Sequence, residues 1–437
     1  MLQLNVIILA AGAGTRMKSS LPKAMHLLGN SPLIDHSLHC VTQLQPTEII
    51  TVINESMKEL AQYIKNTSSA TVVYQAKQLG SAHAVLSAEP AIKNFDGITI
   101  IMYADTPLVK PQKLQELVNL IQSNKADLGV LAFEKQDPNN YGKLVVQQSK
   151  VVSIVEAAEI TKKEYLPLCN SGIMAFNNRK VWSLLRQIDN KNSKQEYYLT
   201  DLVKIANKNN LLCKYVVDSE ENLQGANSKW ELAILEAVFQ KQKRYEFLQQ
   251  GVQLIDPQTV YFSLDTKIAQ DVIIYPNVYI LPKVTIGAGT SILPFSVLEG
   301  AIIGEHCNIG PFARLRPETT LAANNKVGNF VEIKKSSINA GVKINHLTYI
   351  GDCEIGENTN IGAGTITCNY DGNKKHATKI GADSFIGSNT ALVAPITIGT
   401  NVTVGAGSVL TKDVPDDSLA IARSSQKNIA NWKPVKK

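Results

Sequence analysis

Two hydrophobic rhythms divide this chain. Up to about residue 227, short apolar runs alternate with stretches of helical spacing. Val6–Ala10, Glu48–Ile53, Thr71–Tyr74, Ile98–Met102 and Asp127–Ala132 read as strands, with Leu33–Gln43, Met57–Lys65 and Pro111–Ser123 as helices among them. Strands spaced by helices predict a mostly parallel α/β sheet. In such sheets ligands bind beyond the carboxyl ends of the strands, near a topological switch. The segments after the first and fourth strands are therefore where chemistry is expected. Across 228–250, Trp230, Ile234, Val238, Tyr245 and Leu248 recur at near-helical spacing among Lys, Gln and Glu, which predicts one connecting helix.

Beyond that helix the period becomes six. Ile268, Ile274, Ile280, Ile286, Ile292 and Leu298 form one series, and Ile303, Ile309, Leu315, Leu321, Val327 and Ile333 a second. Ile338, Ile344 and Ile350 follow a shorter step, as do Ile355 and Ile361, and a last series runs Ile380, Ile386, Leu392, Ile398, Val404, Leu410. One inward aliphatic residue per short flat strand is the signature of a parallel β-helix. Glycine follows the aliphatic residue at 287, 304, 310, 328, 351, 356, 362, 381, 387, 399 and 405, where tight corners with unusual φ/ψ are expected. Between Ile366 and Ile380 the phase is lost in the polar run Asn369 to His376, which predicts a loop thrown out on a working face. The domains expected are thus 1–227, a linker helix over 228–250, and a β-helix over 251–437.

Composition narrows the partners. A chain of 437 residues is too long for one core, and 44% apolar with 19% charged residues is a globular mixture. The net charge of +6 comes with no basic block interleaved with aromatics, so no nucleic-acid partner is expected. Cys40, Cys169, Cys213, Cys307, Cys353 and Cys368 are scattered without a C-x-x-C pair, so neither a zinc site nor a disulfide framework is indicated. The apolar run from Val6 ends at Gly12 with no basic residue before it, too short for a signal peptide, and no later stretch reaches spanning length. The expectation is a cytoplasmic protein without a membrane partner.

The first loop reads Leu9-Ala10-Ala11-Gly12-Ala13-Gly14-Thr15-Arg16-Met17, followed by Leu21-Pro22-Lys23. Met17 stands where the dinucleotide fingerprint needs a third glycine. The loop instead offers backbone N–H groups and two cations, Arg16 and Lys23, suited to a triphosphate and a departing pyrophosphate. After the fourth strand comes Tyr103-Ala104-Asp105-Thr106-Pro107, where Asp105 is a candidate Mg²⁺ ligand and the amide oxygen of Asn227 a second. As a whole, L-A-A-G-x-G-T-R…P-K resembles the sugar-nucleotide pyrophosphorylases.

The β-helix carries Arg314 to Pro317, Lys334-Lys335, His346-Leu347-Thr348-Tyr349, Asn360, Asn369-Tyr370-Asp371-Gly372 and Arg423, polar groups that a solenoid does not need. Among them His346 suits the role of a general base, because imidazole titrates near neutrality. Over essentially its whole length the chain resembles the bacterial family of bifunctional N-acetylglucosamine-1-phosphate uridyltransferases and glucosamine-1-phosphate acetyltransferases. The resemblance implies a Rossmann-like α/β nucleotidyltransferase domain joined to a left-handed parallel β-helix. It implies UTP and acetyl-CoA as co-substrates, Mg²⁺ as cofactor and a homotrimer with acetyltransferase sites between subunits. The product, UDP-N-acetylglucosamine, would feed peptidoglycan, lipopolysaccharide and lipid A precursors.

By the same resemblance Leu9, Ala10, Ala11, Gly12, Lys23, Gln75, Gly80, Ser81, Tyr103, Ala104, Asp105, Gly142, Glu156, Asn170 and Asn227 line the nucleotide and sugar site. Gln75, Gly80 and Ser81 face uracil, Glu156 and Asn170 hold N-acetylglucosamine, and Asp105 and Asn227 share the metal. Arg316, Lys334, Tyr349 and Asn360 fall to the sugar phosphate; Ala363, Asn369, Tyr370, Ser388, Ala406 and Arg423 fall to acetyl-CoA. The basic tail Lys433–Lys437 either frays or reaches a neighbouring subunit's cofactor. The chain departs from the family pattern at Ser81 and Ser171 (threonine is usual), at Ala104 and Asn345 (glycine is usual), and at the less polar Ala157-Ala158. One alternative is a pyrophosphorylase for another sugar with a regulatory β-helix. A second is a scaffold with a dead transferase fold, which the intact Arg16, Lys23 and Asp105 oppose.

Overall fold

The computed structural model describes residues 3–92, 96–135, 141–159 and 167–433. The chain folds into two compact units, Met1–Phe239 and Gln240–Lys437. The boundary falls inside a helix that runs Lys229–Gln249, in the stretch expected to be a connecting helix.

In the first unit the strands of the main sheet are β1 (Leu4–Leu9), β2 (Glu48–Asn54), β3 (Thr71–Gln75), β4 (Ile98–Tyr103), β5 (Leu128–Glu134), the hairpin β6 (Lys143–Gln147) and β7 (Lys150–Val155), β8 (Leu168–Asn177) and β9 (Cys213–Asp218). The helices that cover it are α1 (Leu33–Thr42), α2 (Lys58–Thr67), α3 (Ser81–Ser87), α4 (Pro111–Gln122), α5 (Asn178–Leu185) and α6 (Asp201–Lys208). The sheet runs β9-β5-β8-β4-β1-β2-β3, with the β6/β7 hairpin attached to β8. Its central strands are apolar on both faces because helices cover both. Val6 and Ile8 pack with α1, α2 and α4, whereas Ile7 and Leu9 pack with α3, α5 and α6. The chain leaves β1 toward β2 and β3 and then crosses back to β4 on the other side, so the switch lies between β1 and β4. There the Ala104 N–H donates to the Leu9 carbonyl at 3.0 Å.

One strand breaks the parallel order. β8 runs antiparallel to both β4 and β5, pairing Met174 with Ile101 and Asn170 with Ala132. Reversal brings the start of β8, and so Asn170, to the same edge as the carboxyl ends of β1 and β4.

In the second unit every third strand joins the same sheet, giving parallel sheets of 10, 8 and 8 strands. The first runs from Gln253–Leu254 to Leu419–Ala420, the second from Tyr279–Ile280 to Val409–Leu410, and the third from Lys267–Ile268 to Ile396–Ile398. The inward aliphatic residues stack in columns: in the first sheet Ile274 lies beside Ile292, then Ile309, Val327, Ile344, Ile361, Ile386 and Val404. This is the expected left-handed parallel β-helix of hexapeptide repeats. Between the columns, buried hydroxyls stitch coil to coil; Thr290 Oγ1 donates to the Gly304 carbonyl and accepts from the Cys307 N–H. The pairing of Ile361 with Ile386 spans a longer step than its neighbours because the loop after Cys368 is extruded between coils.

The glycines need a different explanation from the one their spacing invited. Of those after the aliphatic residue, only Gly310 has a positive φ. The left-handed corner lies two residues further on, at Gly289, His306, Asn358, Asp383, Asn389 and Asn401. What excludes a side chain after the aliphatic residue is the next coil: a Cβ on Gly287 would lie 2.6 Å from the Gly304 carbonyl carbon, and one on Gly381 would lie 2.5 Å from that of Gly399. Phe295, Phe312 and Phe330 occupy successive corners and stack at 5.0 and 5.2 Å, largely exposed, and Leu347 continues the line.

Gly381→Ala should therefore destabilise the β-helix by about 1–3 kcal/mol, the usual cost of overpacking. Denaturant unfolding checks this, and an unshifted midpoint would show that the coils can part without penalty.

Candidate active sites

The loop after β1 and the segment after β4 form the two walls of a cleft of about 460 Å³. Of the first-unit site residues expected from the sequence, all but Gly142, Glu156 and Asn170 line it. The loop's two glycines do different work. A Cβ placed on Gly12 would meet nothing within 4 Å, so its backbone faces open space, whereas one on Gly14 (φ 61°) would abut Lys23 Cβ at 2.9 Å. That close approach seats Lys23 under the loop. Its ammonium is paired with Asp105 and donates to Asn227 Oδ1 at 2.9 Å. Arg16 donates to the same amide oxygen at 2.8 Å. Asp105 and Asn227 are themselves tied together, since the Ala226 N–H donates to the Asp105 carbonyl at 2.8 Å and Glu231 accepts the Asn227 N–H. Two hard oxygens thus converge on one cation position, which is how a divalent metal could be held.

Gly142, Glu156 and Asn170 form a neighbouring patch. The Asn170 N–H donates to the Gly142 carbonyl at 2.8 Å, and the Glu156 carboxylate lies over Gly142 and accepts from Thr200 at 2.8 Å. Tyr103 joins patch to cleft: it is hydrogen-bonded to Ser81, feels both Asp105 and Glu156, and is pushed up to about 12 chiefly by burial. Burial likewise raises the Glu156 carboxyl above its ordinary range, opposed by the Thr200 hydrogen bond. Gly172 is obligatory beside the ring, because a Cβ there would meet Tyr103 at 2.6 Å.

In the β-helix the expected residues fall at two corners of the coil. His346, Ala363, Ser388, Ala406 and Arg423 follow strands of the first sheet, and Asn360 lies on that sheet's outer face. Arg316, Lys334, Asn369 and Tyr370 follow strands of the second sheet, and the Tyr349 hydroxyl reaches the same corner, where it and Asn369 Nδ2 crowd Gly351. The sugar-phosphate set is thus split, Asn360 from Arg316, Lys334 and Tyr349. The acetyl-CoA set is split too, Asn369 and Tyr370 from the rest.

Each corner has its own electrostatics. His346 is exposed, and its Nδ1 is 2.7 Å from Asn329 Oδ1, one coil below. An amide oxygen only accepts, so Nδ1 carries the proton and Nε2 is left as the base. At the other corner Arg316 pairs with Glu332 at 2.7 Å, and Asn369 donates to Asp352 at 2.6 Å. The Lys334 ammonium is held below the usual lysine range by the neighbouring Lys375 and by the charge of Arg316, with Asp352 opposing them. Positive charge thus gathers at this corner, offset in part by Glu332 and Asp352. The extruded loop is braced by Asp371, whose carboxyl is held well below the usual range by the backbone N–H of Lys374, by His376 and by the N–H of Asn373.

The MobA-like NTP transferase domain matches residues 6–196, and the bacterial transferase hexapeptide (six repeats) matches 265–300 and 377–412. The bifunctional protein GlmU of Paramagnetospirillum magneticum is 46% identical over 98% of this chain and 96% of its own. That of Zymomonas mobilis is 45% identical over 98% and 96%, and that of a Ruegeria species 46% identical over 97% and 94%. The chain belongs to the GlmU family. As the sequence led one to expect, it is a bifunctional enzyme of UDP-N-acetylglucosamine synthesis. Among solved structures, the inositol-1-phosphate CTP transferase from T. maritima aligns with 55% of this chain and 97% of its own, at 17% identity and TM-score 0.45.

At two of the positions where the chain departs from the GlmU pattern, the geometry absorbs the change. Ser81 Oγ accepts the Leu199 N–H at 3.0 Å, and Ser171 Oγ donates to the Leu131 carbonyl at 2.6 Å, so both hydroxyls are employed. Asn345 has no positive φ, so the backbone needs no glycine before His346, and the left-handed residue is Leu347, but the Asn345 amide oxygen is buried without a hydrogen-bond partner. Among the described residues no group of three or more His, Cys, Asp or Glu side chains converges as a metal cage, and no helix is long and apolar enough to cross a membrane. Four contributors escaped the sequence reading. Gln78 closes on the Ala11 carbonyl at 2.5 Å, Glu196 lines the cleft, Asn329 orients His346, and Lys375 completes the cation cluster. The 17-residue step from Asn329 to His346 is one coil of the repeat, so that pairing could have been found by register alone.

Lys334 attracts an anion only while protonated, and its lowered pKa means the proton leaves at a lower pH than from an ordinary lysine. Phosphate-monoester affinity should therefore fall on the alkaline side before the usual lysine range. Lys375→Met should carry that limb to higher pH while weakening binding at neutral pH. Calorimetric titration across pH measures both, and an unmoved limb would show the two lysines to be uncoupled.

Proposed function

We propose that acetyl transfer from acetyl-CoA to glucosamine 1-phosphate takes place on the β-helix and uridyl transfer from UTP to the acetylated product in the α/β cleft. The observation that carries the reading is the convergence of Arg16, Lys23, Asp105 and Asn227 in one cleft. It comes with a separate corner where a histidine is held with its free nitrogen outward.

For acetyl transfer, the sugar amine attacks the thioester carbonyl carbon and His346 Nε2 takes the amine proton. The carbon–sulfur bond breaks, and coenzyme A leaves with a proton returned to its sulfur. Arg316, Lys334 and Lys375 face the phosphate dianion. For uridyl transfer, a phosphate oxygen of N-acetylglucosamine 1-phosphate bonds to the α-phosphorus of UTP as the bond to pyrophosphate breaks. Arg16 and Lys23 take up charge on the leaving group. Gln75, Gly80 and Ser81 are assigned to uracil, Glu156 and Asn170 to the sugar. The oxygens of Asp105 and Asn227 fit Mg²⁺: they are hard, they are few, and both already point at a single cation. Bound there, Mg²⁺ would neutralise triphosphate charge.

The split of the β-helix residues favours an assembly of several copies. His346 and the Lys334 cluster lie on opposite borders of the second sheet, about five extended residues and so roughly 15 Å apart. The amine and phosphate of glucosamine 1-phosphate sit on adjacent ring carbons. One chain cannot serve both with these corners, whereas neighbouring chains in a homotrimer can. The exposed line of Phe295, Phe312, Phe330 and Leu347 beside the His346 corner is the kind of apolar stripe that protein interfaces bury. UTP and acetyl-CoA place the work in the cytoplasm, with small molecules as the remaining partners.

Supplied with glucosamine 1-phosphate, acetyl-CoA, UTP and Mg²⁺, the enzyme should yield UDP-N-acetylglucosamine, free coenzyme A and pyrophosphate by mass spectrometry. Consumption of neither UTP nor acetyl-CoA would overturn the reading. His346→Ala and Lys334→Ala chains, each inactive in acetyl transfer, should on co-assembly recover about a quarter of the activity by random pairing around a closed ring. A mixture as inactive as its components would show the site to be made within one chain.

A further inference from the structure

We propose that before substrates arrive the Lys23 ammonium stands in the place of the metal, so that metal and nucleotide enter together by displacing it. This rests on the assignment of Asp105 and Asn227 as the metal ligands.

Both oxygens are already committed. Asp105 is paired with the Lys23 ammonium, and Asn227 Oδ1 accepts from Lys23 at 2.9 Å and from Arg16 at 2.8 Å, which uses both lone pairs of an amide oxygen. A divalent cation needs the same lone pairs, and it cannot share the position with an ammonium that it repels. The oxygens themselves have little freedom to turn away, because Ala226 ties the Asp105 backbone to the Asn227 segment and Glu231 holds the Asn227 N–H. The base of Lys23 is fixed as well, at the start of the short helical turn Lys23–Met25 and against Gly14. What can move is the four-carbon stem, whose charged end swings on rotatable bonds.

That end gains a new partner when phosphate is present. Lys23 shares the cleft with the Ala11–Arg16 loop, the expected seat of the triphosphate. A metal arriving alone must expel the ammonium from its carboxylate and brings no anion to receive it. A metal arriving on a triphosphate brings the replacement partner. The exchange thus makes metal affinity depend on nucleotide, and it places Lys23 on the phosphates only once the metal is seated.

The test measures metal binding rather than turnover. Mn²⁺ serves as probe, its free concentration read by electron paramagnetic resonance on the full chain with and without UTP. Wild-type protein should bind Mn²⁺ weakly alone. Lys23→Met should bind Mn²⁺ without nucleotide about tenfold more tightly than wild type, the lower worth of a hydrogen bond to a charged group. Equal or weaker binding by the variant overturns the exchange; Lys23→Gln gives the same comparison if the methionine chain fails to fold. Asp105→Asn separates the two layers of the argument. If it leaves Mn²⁺ binding with UTP untouched, the metal assignment itself fails. If it abolishes that binding while Lys23→Met shows no gain, the assignment stands and the exchange alone is refuted.

Discussion

The second unit depends on one constraint: successive coils approach so closely that, at corners such as those of Gly287, Gly304 and Gly381, the position after the inward aliphatic residue has no room for a side chain. A Cβ at Gly287, Gly304 or Gly381 would meet backbone of the next coil at 2.5–2.7 Å. The columns of Ile, Val and Leu that this contact allows to interlock contribute about 2 kcal/mol for each fully buried side chain. Nothing polar beyond small hydroxyls, thiols and an occasional amide fits inside. Chemistry is therefore exported to the corners, and the spacing of the coil becomes the ruler on which functional groups are set. His346 sits over Asn329 for the same reason that Ile344 sits over Val327.

The two units manage charge in opposite ways. In the α/β cleft each cation has an oxygen partner from the protein, and the site is nearly self-neutralised. At the Lys334 corner Arg316 has Glu332, but Lys334 and Lys375 are set against each other. The first arrangement is stable without ligand and must be opened. The second stores repulsion that an anion relieves. That difference suits a triphosphate arriving with its own counter-cation in one case and a bare phosphate monoester in the other.

Much of this was legible in the residue order. The six-residue rhythm needs only inward aliphatics, and it located the coils, their columns and the loop extruded after Cys368. The alternation of strands and helices located the cleft, because β1 and β4 flank the point where the sheet reverses direction of growth. Legibility ended where contacts depend on folding back. Gln78 reaches Ala11 from across the cleft, and Glu196 enters it from a segment with no rhythm of its own. Lys375 lies in the one stretch that is out of phase with the coil, so no counting places it beside Lys334. The glycines misled because their spacing fits a turn as well as a close approach; only the backbone angles separate the two, and they put the turn two residues later. That the assigned residues divide between two corners is likewise a matter of which sheet each strand joins, which the rhythm alone does not label.

A solenoid is supported unevenly along its axis. Interior rungs such as the one holding His346 are clamped from above and below, whereas among the described residues Leu419–Ala420 pairs only with Thr403–Val404 beneath it, and beyond it Ile421, Ile429 and Trp432 lie open. Arg423 hangs from this last rung through a bond to the Ala406 carbonyl. Fraying of this outermost rung would thus loosen Arg423 before it disturbed the imidazole, so, with the roles proposed above, the hold on acetyl-CoA would slacken while His346 kept its place.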